Sequence, residues 1–348
     1  MSSIKDRILV PDAPALPGLS FRLFRGEADY PAMAAVINGS READGLDWTR
    51  SVEDIARDYR HLVNSDPWRD MLFAEVDGRV IGYGRVSWVR ENSGAWLYRH
   101  FVHLLPEWRK GGLRRAMLRY NERRLREIAA AGGAATGGAG DHPAEGPRLF
   151  EAFSSDGEED WTALLEEEGY TGVRYGFTMV RPNLENIPDL PLPAGLEVRP
   201  VEPEQIPLIW AASKEAFRDH WGFSEEEWDQ EIASWQESPT FQPHLWQVAW
   251  AGDQVAGMVQ NFVDEAENAR YGRKRGYTEG ICVRRPWRRR GLARALIARS
   301  FRVLKDLGME EAALGVDADN PNGALQLYTS MGFQVVKRHT TYRKPMGG

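Results

Sequence analysis

The chain of 348 residues contains a single cysteine, Cys282, and no apolar run of membrane-spanning length. One thiol forms no internal disulfide, and no metal site built on cysteines is expected. A spanning helix needs roughly 18 or more apolar residues, so no membrane partner is expected. The opening residues, MSSIKDRILVPDAPALPG, lack the apolar core of a signal peptide, and the expected location is the cytoplasm. A general excess of positive charge is missing too. The 44 Lys and Arg stand against 51 Asp and Glu, a formal net charge of −7. That balance argues against a nucleic-acid binder, whose basic footprint covers a whole domain. What is present describes a globular protein, with 42% hydrophobic and 27% charged residues. Its length predicts about two domains.

Proline punctuates the chain most densely at RPNLENIPDLPLPAG, residues 181–195, which reads as an extended linker. The same order of elements flanks it on both sides. GLSFRLF and GLEVRPV each predict a short opening strand, followed by two helical stretches ending in SVEDIARDYRHLV and SEEEWDQEIASW. A serine followed by acidic residues opens each of these last stretches, a helix N-cap pattern. Then come two hairpins, MLFAEVDGRVIGYGRV and LWQVAWAGDQVAGMVQNFV, each turning at an Asp-Gly or Gly-Asp pair. LLPEWRKGGLRRAML aligns with VRRPWRRRGLARALI, so that Trp108, Arg109 and Gly112 match Trp287, Arg288 and Gly291. A tandem duplication of a mixed α/β unit is the reading. Residues 1–180 form one unit, 181–194 the linker and 195–348 the second. The Gly/Ala-rich insert AAGGAATGGAGDHPAEGP carries no assignable chemistry.

Residues 284–296, RRPWRRRGLARAL, hold six arginines. They fall between a predicted strand, YTEGICV (277–283), and a predicted amphipathic helix, GLARALIARSFRVLKDLG (291–308). A helix N-terminus presents unpaired N–H groups and the positive end of the dipole, which favour an anion. Gly291 and Ala293 let backbone approach a pyrophosphate closely, while Arg288, Arg289, Arg290 and Arg294 supply charge-assisted contacts. Further on, GVDADNPNGALQLYTSMGF (315–333) predicts a strand end, Asn320 as N-cap with Pro321 at the first helical position, and a short helix stopped by Gly332. Glu279 lies within the strand YTEGICV, where a buried carboxylate is costly unless paired or solvated. Strict alternation puts Glu279, Ile281 and Val283 on one face and Cys282 on the other, unless a bulge intervenes.

Arg288-x-x-Gly291-x-Ala293 between a strand and a helix resembles the acyl-CoA pyrophosphate loop of the GNAT superfamily of N-acyltransferases. The 315–333 segment resembles the stretch of that superfamily in which an Asn touches the cofactor and a helical Tyr faces its sulfur. The resemblance implies, for each half, an α/β (α+β) fold with a twisted, mostly antiparallel sheet flanked by helices. It implies acetyl-CoA as co-substrate and no metal, with Glu279 as general base and Tyr328 as general acid. Cofactor contacts would come from Ile281, Cys282 and Val283, from Arg288 to Arg290, Gly291, Leu292, Ala293 and Arg294, and from Asn320 and Asn322. Gly323 lengthens the run from Asn320 to Tyr328, leaving open which Asn takes part. The implied activity is acetyl transfer to a small-molecule or peptide amine by direct attack in a ternary complex. AFRDHWGFSEEEW (216–228) links the first two helices of the second half, and its Asp219, Trp221 and Phe223 are candidates for an acidic, aromatic acceptor wall.

The first half departs from the pattern. Arg114 stands where Ala293 does, Leu165 where Tyr328 does and, counting from the paired tryptophans, His100 where Glu279 does. It is expected to keep the fold without the chemistry. Two other readings stay open: a non-catalytic acyl-CoA-binding regulator, which needs neither Glu279 nor Tyr328, and a nucleic-acid binder using the local arginines, which would show steep salt dependence. Acceptor identity, acyl-chain preference and oligomeric state are not legible in the residues.

Overall fold

The computed structural model describes residues 8–132, 146–319 and 323–347. They form two compact units. The first comprises Met1–Val173, Ser224–Ser234 and Thr340–Gly348; the second comprises Arg174–Phe223 and Trp235–His339.

The first unit opens with strand β1 (Leu19–Arg22) and helices α1 (Tyr30–Ser40), α2 (Val52–Arg60) and α3 (Pro67–Asp70). The N-cap read in the sequence is a reciprocal capping box between Ser51 and Asp54. Strands β2 (Met71–Val76), β3 (Arg79–Arg90) and β4 (Trp96–Leu104) follow as an antiparallel meander. Helix α4 (Leu113–Ala130) crosses to β5 (Arg148–Ser155), which runs parallel to β4, and α5 (Glu159–Glu167) leads to β6 (Thr171–Arg181). Apolar faces of α1 and α4 meet the sheet in a core holding Met33, Phe73, Ile81, Leu104, Met117 and Phe150.

In the second unit the plan repeats. Strand β7 (Glu197–Arg199) precedes α6 (Ile206–Phe217) and α7 (Glu225–Gln236), whose residues through Ser234 belong to the first unit. Strands β8 (Gln247–Ala251), β9 (Gln254–Val263) and β10 (Arg275–Val283) form the meander, with a short helix α8 (Glu265–Tyr271) between β9 and β10. That helix was not read from the sequence. Asp264 caps its start and Gly272, at φ 60°, ends it. Helix α9 (Leu292–Asp306) crosses to β11 (Glu311–Asp317), and α10 (Ala324–Ser330) precedes β12 (Gln334–Pro345). Leu296, Phe301, Leu304, Leu314 and Phe333 centre this core.

The units do not break at the proline segment. Residues 174–181 of β6 pair with β11, from Gly176 opposite Asp317 to Arg181 opposite Ala312. The stretch after them is no loose tether: Leu184 is 2% exposed, and Ile187, Leu190 and Leu192 pack on the second core. Conversely, the chain's last residues close the first unit, where Met346 N–H donates to the Arg148 carbonyl at 2.9 Å. Proline density marks where regular structure stops; long-range strand pairing decides where a unit does.

Candidate active site

In the second unit β10 and β11 pair in parallel only from Arg275–Tyr277 against Glu311–Ala313. Both strands continue past that point, to Val283 and Asp317, without pairing each other. The sheet is therefore split at its centre, leaving backbone groups of both strands without ladder partners. Across the split the Gly315 N–H donates to Glu279 Oε1 at 2.9 Å.

A bulge sets the direction of Glu279. Glu279 faces Gln260 and Cys282 faces Met258, so Gly280 and Ile281 together oppose Val259 alone. Gly280 adopts φ 56°, a left-handed conformation that favours glycine, and a Cβ there would lie 2.0 Å from Gln260 Oε1 and push that side chain aside. Alternation is thereby broken. Ile281 and Val283 pack on the core built around α9, whereas Cys282 is buried beside Ser213 of α6. The expectation that Glu279, Ile281 and Val283 share a face gives way to the bulge. A glycine inside a predicted strand was the available clue.

Burial pushes the Glu279 carboxyl up to about 7, against the opposing effect of the Gly315 hydrogen bond. Tyr328, 6% exposed on α10, is raised above the usual phenol range by burial and by the Glu279 carboxylate and Cys282 thiol nearby. Both sequence-predicted catalytic side chains are thus brought into one electrostatic neighbourhood. Cys282 itself is pushed up to about 12 by burial. It stays a thiol at neutral pH, so it packs and does not attack.

The backbone after the bulge is oriented by the ladder. Arg284 N–H donates to Ala256 O at 3.0 Å. Two residues earlier, Cys282 likewise turns its backbone groups to β9. Between them Val283 turns its own to the open side. There its carbonyl accepts from Arg288 Nε at 2.9 Å, while Arg288 Nη2 donates to Ala216 O at 3.4 Å. Arg288, expected among the phosphate ligands, is engaged in bracing the loop. Arg289 (φ 61°) and Gly291 (φ 83°) then bend the chain into α9, whose first turn has no side-chain cap. Among the described residues none pairs with the exposed Arg289, Arg290 and Arg294. Leu292 is buried in the core, and Ala293 leaves the helix start open. Asn320 and Asn322 lie outside the described residues. Helix α10 starts at Ala324 after Gly323 at φ 70°, and the expected Asn320 cap with Pro321 behind it also lies outside the described residues.

The acceptor candidates fare unevenly. Asp219 Oδ2 accepts from Arg285 at 2.5 Å, which holds its carboxyl below the usual range. Phe223 is 8% exposed, and Trp221 is 38% exposed with the Arg174 guanidinium 5.4 Å from its ring centre. The acids beyond them leave the second unit: Glu226 accepts from Asn64 and Glu227 pairs with Arg99 in the first.

The first unit has the same split, since β4 and β5 pair only from Trp96–Arg99 against Arg148–Glu151. Arg109 repeats the brace, with Nε 3.0 Å from the Leu104 carbonyl. Arg114 fills what Ala293 leaves open. Its guanidinium is buried, donates twice to the Val102 carbonyl at 3.0 and 3.2 Å, and lies 4.3 Å from the Trp161 ring centre. No bulge interrupts β3 and β4 from Gly82–Leu104 to Arg90–Trp96. Aligned from the shared Gly82–Leu104 and Gly257–Val283 pairs, the counterpart of Glu279 is therefore Phe101, opposite Arg85, and His100 matches Thr278. Counting residues names His100 because it ignores the extra residue of the bulge.

The family described as Acetyltransferase (GNAT) matches residues 34–145 and 208–333, one match in each half. Mycothiol acetyltransferase of Pseudarthrobacter chlorophenolicus is 28% identical over 186 residues, 53% of this chain and 57% of that protein. The N-alpha-acetyltransferase MAK3 of Arabidopsis thaliana is 39% identical over 64 residues, 18% of this chain and 33% of that protein. The chain thus spans between a third and somewhat over half of these relatives. Among solved structures, a GCN5-related N-acetyltransferase from Sphaerobacter thermophilus shares the fold at TM-score 0.68, with 24% identity over 97% of this chain and 98% of that one. A tandem GNAT protein from the clavulanic acid biosynthesis pathway does so at 0.66, with 12% identity over 95% and 99%. Among the described residues no group of three or more His, Cys, Asp or Glu is arranged to hold a metal, and no helix is long and apolar enough to cross a membrane.

Proposed function

From the premise that this chain belongs to the GNAT acetyltransferase family, built as two tandem units of its fold, we propose that it transfers an acetyl group from acetyl-CoA to an amine, using the second unit alone. The observation that carries this reading is the split between β10 and β11 with Glu279 on one side and Tyr328 beside it. The residues fit an acyl-CoA. An uncapped helix start at Gly291 and three arginines without a partner among the described residues, Arg289, Arg290 and Arg294, suit a pyrophosphate, and the Val283 backbone offers hydrogen bonds to a chain laid in the split. When bound, acetyl-CoA supplies an activated thioester.

The chain's own residues do the rest. Glu279, with its carboxyl near 7, takes a proton from the incoming ammonium, directly or through a water. Held with its N–H toward the open side, Val283 polarises the carbonyl under attack, so that no covalent enzyme intermediate is needed. Tyr328, protonated at rest, gives its proton to the departing thiolate. Much of the acceleration comes from holding amine and thioester in register. Trp221 is the acceptor-wall candidate left exposed, and the acetyl transferases among the relatives support an amine or peptide N-terminus as acceptor.

A panel of amines with acetyl-CoA, read as released CoA thiol, tests the reading; no release with any acceptor would turn it toward an acyl-CoA-binding regulator. With an acceptor in hand, Tyr328→Phe is expected to lose roughly 10²–10⁴-fold in kcat with CoA affinity unchanged. Near-normal turnover, with chemistry rate-limiting, would remove Tyr328 from the mechanism. The pH profile of kcat/KM should rise with unit slope to a plateau above about pH 7, where Glu279 is ionised. A profile flat from pH 5 to 8 would exclude it as the base.

A further inference from the structure

Glu279 has a neighbour that the mechanism leaves idle. Gln260 on β9 stands directly opposite it in the ladder, so the two side chains leave the sheet on the same face. That face is the one α6 covers, because Met258, two residues before Gln260, pairs with Cys282, which lies beside Ser213 of α6. The bulge lets the Gln260 side chain cross β10. The Cβ that Gly280 lacks would meet its Oε1, Cδ and Cγ within 3.1 Å. The carboxamide therefore rests against the Gly280 backbone, one residue from Glu279 and directed toward the split.

This amide is unspent. Gln260 is 3% exposed, its Nε2 is enclosed, and no described group hydrogen-bonds the carboxamide. A buried N–H without an acceptor is costly, and here a carboxyl group stands beside it. Glu279 Oε1 takes the Gly315 N–H from the β11 side, and Oε2 has no donor among the described residues. Tyr328 from α10 and Cys282 on β10 are the titratable groups facing this carboxyl, both protonated at neutral pH. No described charged side chain of α6, β9 or β11 bears on it. In the first unit the same two ladder positions hold Arg85 and Phe101, so both members of the pair are replaced together.

We propose that Gln260 is a positioning residue for the general base: its amide N–H₂ turns to donate to the Glu279 carboxylate as that group ionises, and so sets the pH at which the base becomes available. The terminal torsion of glutamine is soft, so the turn costs little. A carboxylate has lone pairs enough for Gly315, Gln260 and an incoming ammonium at once. A neutral donor suits a base. It favours the ionised form, as any hydrogen bond to that form does, without the opposing charge of an arginine, which would hold the carboxyl too acidic to take a proton near neutrality. This role rests on Glu279 being the base of the proposed acetyl transfer, but the coupling of the two side chains is measurable without any acceptor.

Carbon-13 NMR of the full chain labelled at glutamate Cδ follows the Glu279 carboxyl directly, its signal assigned by loss in Glu279→Gln. Gln260→Met keeps the length of the side chain without the donor. It should raise the Glu279 midpoint by about one pH unit, the worth of one hydrogen bond to a charged group. Gln260→Asn withdraws the donor by one methylene and should shift the midpoint the same way. Cooperative thermal melts show that both variants are folded. With an acceptor in hand, the rising limb of kcat/KM should move with the midpoint. Gln260→Met should then be about tenfold slower than wild type on the acid side of both midpoints, a gap that narrows toward pH 9. A midpoint unmoved or lowered in folded Gln260→Met would overturn the proposal, as would a rate reduced by one constant factor at every pH. If the midpoint rises as expected and no amine is acetylated, the coupling stands and the acetyl-transfer reading falls.

Discussion

Glu279→Gln should abolish acetyl transfer and, at the same time, make the protein harder to melt at pH 8. Loss of a general base is expected to lower kcat/KM by roughly 10²–10⁴-fold. The stability effect has the opposite sign. Folding raises this carboxyl from 4.5 to about 7, so between those values the unfolded chain ionises while the folded one does not. Below pH 4.5 both states are neutral and the variant gains nothing. As pH rises from 4.5 to 7 the penalty grows, and above 7 it is complete, up to about 3 kcal/mol at 1.36 kcal/mol per unit. Glutamine keeps an oxygen to accept from Gly315 and escapes that penalty. Its melting temperature should exceed wild type by several degrees at pH 8 and match it at pH 4, measured by calorimetry at both. An inactive variant that is also less stable at pH 8 would mean misfolding, and an active one would move the base elsewhere. Because Phe101 rather than His100 holds the corresponding place in the first unit, residual activity that disappears on His100→Ala would contradict the assignment of chemistry to one unit.

A fragment of residues 181–348, cut where the prolines begin, should fail to fold, whereas one that starts at residue 174 should melt cooperatively. The cut at 181 removes all but the last residue of the strand that pairs with β11 from Ala312 to Asp317. It also deletes Met179, 1% exposed in the second core, and the buried Val180, 5% exposed. Each such side chain contributes roughly 1.5–3 kcal/mol by burial, and the exposed β11 backbone adds further cost, against a total stability of about 5–15 kcal/mol. Far-UV circular dichroism with thermal melts of both fragments reads the difference. A cooperative melt from 181–348 equal to that from 174–348 would show that β6 is dispensable.

Much was legible in the residues because it depends on short-range physics. The duplicated order of strands and helices, the Ser51 capping box, the turn into α9 at Gly291 and the stop at Gly332 follow from local conformational preference and apolar period. The pattern Arg288-x-x-Gly291-x-Ala293, with Tyr328 downstream, was enough to suggest the family. Contacts distant in sequence were not legible. The direction of Glu279 depends on a one-residue bulge opposite Val259, and a bulge is defined by a partner strand that local sequence does not name. Arg288 was read as a phosphate ligand because its charge is visible, while the Val283 carbonyl that engages it is visible only after the ladder has turned that group away from β9. Arg114 was recognised as bulky, but only packing shows its guanidinium turned inward to Val102 beneath Trp161. The linker marked the end of regular structure, yet strand pairing gave residues 174–181 to one unit and 340–348 to the other. Side-chain chemistry is written in the chain one residue at a time; the face it reaches and the partner it meets are decided by register, which exists only once two strands have paired.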